Sequence, residues 1–151
     1  MELIQLQINY IDWESDNVQS RKCYEVAMKH GKMVSIMEPV KGGSLANIMD
    51  DAKKLFTDYN PNASVASWAI RYAASLDNIL VVLSGMSNME QLKDNMSYMK
   101  NFIPLNEQEQ TVIKQATELI KNTIAIGCTA CRYCIDGCPK KINIPRYFEI
   151  F

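Results

Sequence analysis

Residues 128–139 read CTACRYCIDGCP and gather four of the chain's five cysteines, the fifth being Cys23. Cys128, Cys131, Cys134 and Cys138 stand in the pattern C-x2-C-x2-C-x3-C, closed by Pro139. This is the spacing of the bacterial iron–sulfur run, whose short loops turn successive thiolates toward the irons of a [4Fe–4S] cube. Two intervening residues let the backbone curl so that neighbouring sulfurs reach adjacent irons. The small residues Ala130 and Gly137 let the loop come close, and Pro139 ends it without a further amide donor. Arg132, Lys140 and Lys141 would offset part of the thiolate charge, while Ile135, Ile142 and Ile144 would keep water away.

Other chemistries compete for the same residues. Structural zinc commonly takes two C-x2-C pairs separated by about a dozen or more residues, or mixes Cys with His. Here the cysteines are consecutive, and the only histidine, His30, is remote in sequence. A disulfide framework would spread its cysteines through a secreted domain, and no signal-peptide pattern is present. In two-cluster ferredoxins the fourth cysteine of such a run ligates a second cluster. With one run, Cys138 either completes the cube or points toward ligands from elsewhere.

The elements that must carry this tail come from a chain of 151 residues, enough for one domain and a small appendage. Hydrophobic residues make up 48%, and sixteen basic against seventeen acidic residues leave a dispersed net charge of −1. That balance offers no electrostatic footprint for nucleic acid or a membrane surface. No apolar run has the length of a transmembrane helix. Clustered thiols without an export signal point to a reducing cytoplasm.

Alternation of Ile4, Leu6, Ile8 and Tyr10 with polar residues predicts a strand. A helix is expected over Val18 to His30, with Cys23, Val26 and Ala27 inward and Gly31 as its stop. Met33 to Met37 reads as a short buried strand, broken by EPVKGGS. Asn60 and Pro61 are expected to open a helix bearing the stripe Val65, Trp68, Ala69 and Tyr72. NILVVLS, residues 78–84, suits a strand buried on both faces. SNME at 87–90 and NEQE at 106–109 are capping-box patterns for two more helices. The second would bury Val112, Ile113, Ala116, Leu119 and Ile120. Strands alternating with helices mean parallel β/α units, either in a small open sheet or in part of a barrel.

Three stretches, LQINYIDW at 6–13, MEPVKGGSLA at 37–46 and LSGMSNMEQLKDN at 83–95, resemble the C-terminal part of an aldo/keto reductase. With CTACRYC behind them, the chain resembles the iron–sulfur branch of that family. The resemblance implies an α/β fold: the last three β/α units of a TIM barrel over 1–123, and a truncated ferredoxin-type segment over 124–151. It places Gln5 at the nicotinamide amide, Met37 where a tyrosine often stacks on that ring, and Gly85, Met86 and Ser87 at the adenosine 2′-phosphate. Gln91 stands where NADP-specific members often have arginine, and Asp94 and Asn95 match an acid–amide pair near adenine. The implied cofactors are a 4Fe-4S cluster and NAD(P)H. The family's catalytic aspartate, tyrosine, lysine and histidine belong to earlier strands, so no catalytic residue is assigned here. The expected partners are a missing N-terminal barrel half or a second copy, and a redox partner. A stand-alone one-cluster electron carrier is the alternative function.

Overall fold

The computed structural model describes residues 2–123, 128 and 132–150. Three strands, β1 (Leu3–Gln7), β2 (Met33–Met37) and β3 (Ile79–Val82), form one parallel sheet in the order β1-β2-β3. Leu3 pairs with Met33 and Gln7 with Met37, so β1 and β2 are in continuous register. Right-handed crossovers through helices are the usual way to join neighbouring parallel strands. Here α1 (Ser20–Lys29) follows β1, while α2 (Asp50–Tyr59) and α3 (Val65–Ala74) follow β2. After β3 come α4 (Met89–Met99) and α5 (Glu107–Thr123), then the short α6 (Tyr133–Asp136) and α7 (Ile144–Ile150) of the cysteine tail.

Side chains alternate across β1 and β2 as the period-two pattern requires. Ile4, Leu6, Ile8, Val34 and Ile36 pack with Ala27 and Ala73 on the helix side of the sheet. Leu3, Met33 and Met37 emerge on the other side and are exposed. A second core lies among the helices, where Phe56 stacks on Trp68 with ring centroids 4.7 Å apart and Ile113, Ala116 and Ile120 close over them.

Several expectations need correcting. The inward face of α1 is Ser20, Tyr24 and Ala27, not Cys23 and Val26, which are exposed. The Ser20 hydroxyl donates to the Gln7 carbonyl, and Tyr24 lies against Trp13 and donates to the Asp77 carbonyl. These contacts rotate the helix onto that stripe. Asn60 does not cap α3; it ends α2, and Ser64 caps α3 by accepting the Ser67 amide. α2 has no counterpart among the expected elements. β3 is not buried on both faces: a register shift leaves Leu80 without a pairing partner between Ile79 and Val81, and it is 54% exposed. A bulge of this kind turns one residue out of the ladder.

The capping box before α5 is present in full. Asn106 Oδ1 accepts the Glu109 amide, and Glu109 Oε2 accepts the Asn106 amide. The box before α4 starts one residue later than SNME suggests, because Asn88, not Ser87, accepts the Gln91 amide. No helix among the described residues is long and apolar enough to cross a membrane.

Candidate functional site

Parallel pairing brings the C-terminal ends of the three strands to one edge, where the following loops emerge together. In β/α barrels this is the edge that carries sites. The loop after β2 contains a 3-10 turn over Lys41–Ala46, in which Gly42 and Gly43 have φ of 62° and 94°. Two consecutive left-handed residues are cheap only for glycine. They fold the loop back so that it faces the loop after β3. A cavity of about 570 Å³ lies between the two loops, walled by Glu38, Gly42, Gly43 and Ala46 on one side and by Ser84 to Ser87 on the other. Gln91, Asp94 and Asn95 line it from the first turns of α4.

Each polar side chain of this wall has a partner. Glu38 sits at a φ of 55°, and its Oε2 accepts the Gly42 amide at 2.5 Å. Gln91 turns back over the helix start, its Oε1 accepting the Ser87 amide at 2.7 Å and the Ser87 hydroxyl at 3.2 Å. Asp94 accepts the Ser64 hydroxyl at 2.6 Å. Asn95 donates to Ser84 Oγ and accepts the Tyr98 hydroxyl. Burial, with the charge of Asp94 adding to it, pushes the Tyr98 phenol up. It therefore stays a neutral donor.

The loop after β2 is anchored by a buried polar cluster from the loop after β1. Asp12 accepts Lys41 Nζ at 2.6 Å, Asn9 Nδ2 at 2.8 Å and Gln7 Nε2 at 2.8 Å. Asn9 is itself buried, takes the Ile11 and Asp12 amides on its oxygen, and donates to the Glu38 carbonyl. Burial by itself would raise the Asp12 carboxyl, but the hydrogen bonds from Lys41, Asn9 and Gln7 outweigh it and hold the group below its ordinary range.

Among the residues expected at a nucleotide, Gly85, Met86, Ser87, Gln91, Asp94 and Asn95 all line the cavity. Gln5 does not; it is exposed on β1 and donates to Met37 Sδ at 3.3 Å, and Met37 forms the rim. Glu38, Asp12 and Lys41 lie within the quoted motifs but carry no expected site role. A signal for Glu38 was available, since an acid placed just before a Gly-Gly turn can satisfy the turn's amides.

In the tail, Cys128 and Cys138 are half-buried and Cys134 is exposed, while Cys131 lies outside the described residues. Hydrogen bonding from the backbone of Ile142 and Lys140 lowers the Cys138 thiol below its ordinary value, while the Lys141 amide donates to the Cys138 carbonyl. Among the described residues no three His, Cys, Asp or Glu side chains form a group that could hold a metal.

Parallel β/α units with a cavity on the last two strand–helix loops resemble part of a β/α barrel. A sequence profile of the Aldo/keto reductase family matches residues 1–118, and the chain belongs to that family. Among solved structures it is similar to the aldo-keto reductase AKR11C1 from Bacillus halodurans. The apo form aligns with a TM-score of 0.58 at 20% identity, over 77% of this chain and 43% of that one. The holo form gives 0.58 at 21% identity, over 77% and 42%. The thermostable aldo-keto reductase Tm1743, in complex with the inhibitor epalrestat, gives 0.55 at 16% identity, over 76% and 39%. The chain thus spans less than half the length of these structures. No match was found among curated protein sequences.

Proposed function

We propose that this chain is the C-terminal part of an aldo/keto reductase-type oxidoreductase that moves hydride between NAD(P)H and a carbonyl substrate, and that residues 124–151 add a 4Fe-4S segment to the barrel units of 1–123. The observation that carries the reading is the cavity between the loops after β2 and β3, which collects Gly85, Ser87, Gln91, Asp94 and Asn95 at the site-bearing edge of the sheet. Its share of the work is to bind and orient the adenosine end of the dinucleotide. Gln5, which lies beside Met37, would meet the nicotinamide amide. Acid–base chemistry belongs to residues of earlier strands, so the stretch by itself reduces no carbonyl. The open sheet edges are where those strands would pair, and the exposed side of β1 and β2 is what they would cover, in line with solved structures of which this chain matches less than half.

In the tail, Cys128, Cys131, Cys134 and Cys138 would be the thiolate ligands, with the amides after Cys138 stabilising its charge. A bound cluster supplies one-electron transfer or a structural clamp, and its chemistry implies a reducing compartment. Iron and acid-labile sulfide counted after anaerobic reconstitution test this. Cys→Ser changes at 128, 131 and 134 are expected to abolish binding, and Cys138→Ser reports whether the fourth ligand is internal. Retention of metal by all four variants, or zinc in protein from iron-replete cells, overturns the cluster. For the cavity, nucleotide titration followed by amide resonances is expected to perturb Ser87 and Asn95. Unchanged spectra at saturating NADH and NADPH would overturn it.

A further inference from the structure

The cavity has an electrostatic character that membership of the family does not dictate. Its lining includes two carboxylates, Glu38 and Asp94, and among the described residues that wall it there is no lysine or arginine. Lys41, in the loop after β2, is committed to Asp12 and buried with it. Two of the backbone donors that could greet a phosphate are also taken. Glu38 Oε2 occupies the Gly42 amide, and Gln91 Oε1 occupies both the amide and the hydroxyl of Ser87. An anion entering here would have to displace two side-chain oxygens and then sit beside uncompensated negative charge. A hydroxyl would meet the opposite situation, because carboxylate and amide oxygens can accept a further hydrogen bond on their remaining lone pairs.

We propose that this cavity selects a nucleotide whose ribose carries free hydroxyls and discriminates against one bearing an extra ribose phosphate: NADH rather than NADPH. The inference rests on the nucleotide reading above and adds its specificity. Glu38 and Gln91 are its determinants. Glu38 contributes charge, and Gln91 covers the Ser87 amide with an uncharged side chain that offers a phosphate no cation.

Two small probes isolate the effect, because 5′-AMP and 2′,5′-ADP differ only by the ribose 2′-phosphate. Each is titrated into the chain at low ionic strength, following the amide resonances of Ser87, Gln91 and Asn95. 5′-AMP is expected to bind at least about tenfold more tightly than 2′,5′-ADP. Gln91→Arg, at an exposed position, is expected to reverse the order. Glu38→Gln is expected to strengthen 2′,5′-ADP severalfold, with the gain shrinking as salt is added. Equal or tighter binding of 2′,5′-ADP by the unaltered chain overturns the specificity while leaving the nucleotide site standing. If neither probe shifts these resonances, the nucleotide reading falls and the specificity with it.

Discussion

Lys41 Nζ lies 2.6 Å from Asp12 Oδ1, with the two side chains 10% and 5% exposed, so an ion pair clamps the loop after β2 to the loop after β1. Twenty-nine residues separate the partners in sequence. The clamp sets where Gly42 and Gly43 turn, and therefore where one wall of the cavity stands. Removing one partner leaves the other charged and buried. Lys41→Met is expected to lower the unfolding free energy by about 3–5 kcal/mol. The double variant Lys41→Met/Asp12→Leu should lose less than the sum of the single changes. Urea denaturation of the four proteins measures the coupling.

The same carboxyl sets an acid limit. Its folded value lies below the ordinary 3.8, so its ionised form stabilises the fold at every pH above that ordinary value. The contribution is lost as pH falls through the lower folded value. Glu109 behaves alike: burial would raise it, but Arg71, at 2.7 and 3.1 Å, and the Asn106 amide hold it down. Stability is therefore expected to be level near neutrality and to fall steeply below about pH 4. Asp12→Asn should narrow the gap between neutral and acid stability. A gap unchanged by the substitution would show that Asp12 does not control the acid limit.

Tyr10 is buried in the helix core with its ring edge-on to Phe56 and Tyr72, yet its hydroxyl has no hydrogen-bond partner. Burial also pushes the phenol up, so it remains protonated and polar. Tyr10→Phe keeps the ring contacts and removes the orphaned hydroxyl. The variant is expected to be more stable by about 1 kcal/mol. A lowered denaturation midpoint would mean that the hydroxyl is satisfied in solution.

Two glycines of the cavity wall should respond differently to alanine. A Cβ on Gly43 or on Gly85 would meet nothing within 4 Å. Gly43 nevertheless has a φ of 94°, which a side chain adopts only with strain. Gly43→Ala is expected to cost about 1–2 kcal/mol. Gly85→Ala should stay within about 0.5 kcal/mol while narrowing the cavity. Thermal melts separate the two, and a costly Gly85→Ala would contradict the open space seen beside it.

Much of the framework was legible in the residues themselves. Period-two runs placed β1 and β2, with β2 correct to the residue at Met33–Met37, because alternation is a local property of the backbone. Asn106 and Glu109 announced the start of α5, since a capping box is closed within four residues. The motifs around Gly42, Gly43 and Ser87 marked the loops that wall the cavity. Local pattern failed where the outcome hung on distant partners. α1 presents Tyr24 instead of Cys23 because Trp13 and the Asp77 carbonyl wait for it. α2 was hidden in a mostly polar segment until Phe56 found Trp68. Leu80 faces solvent because β2 shifts register beside it. Only the tertiary structure decided the character of the cavity. Lys41, which could have offered a cation to it, is drawn away by Asp12 across the sheet edge, while Glu38 and Gln91 fold back onto the amides of their own loops. Residue types and spacing are written in the chain, but which donor meets which acceptor depends on how the loops after different strands are brought together.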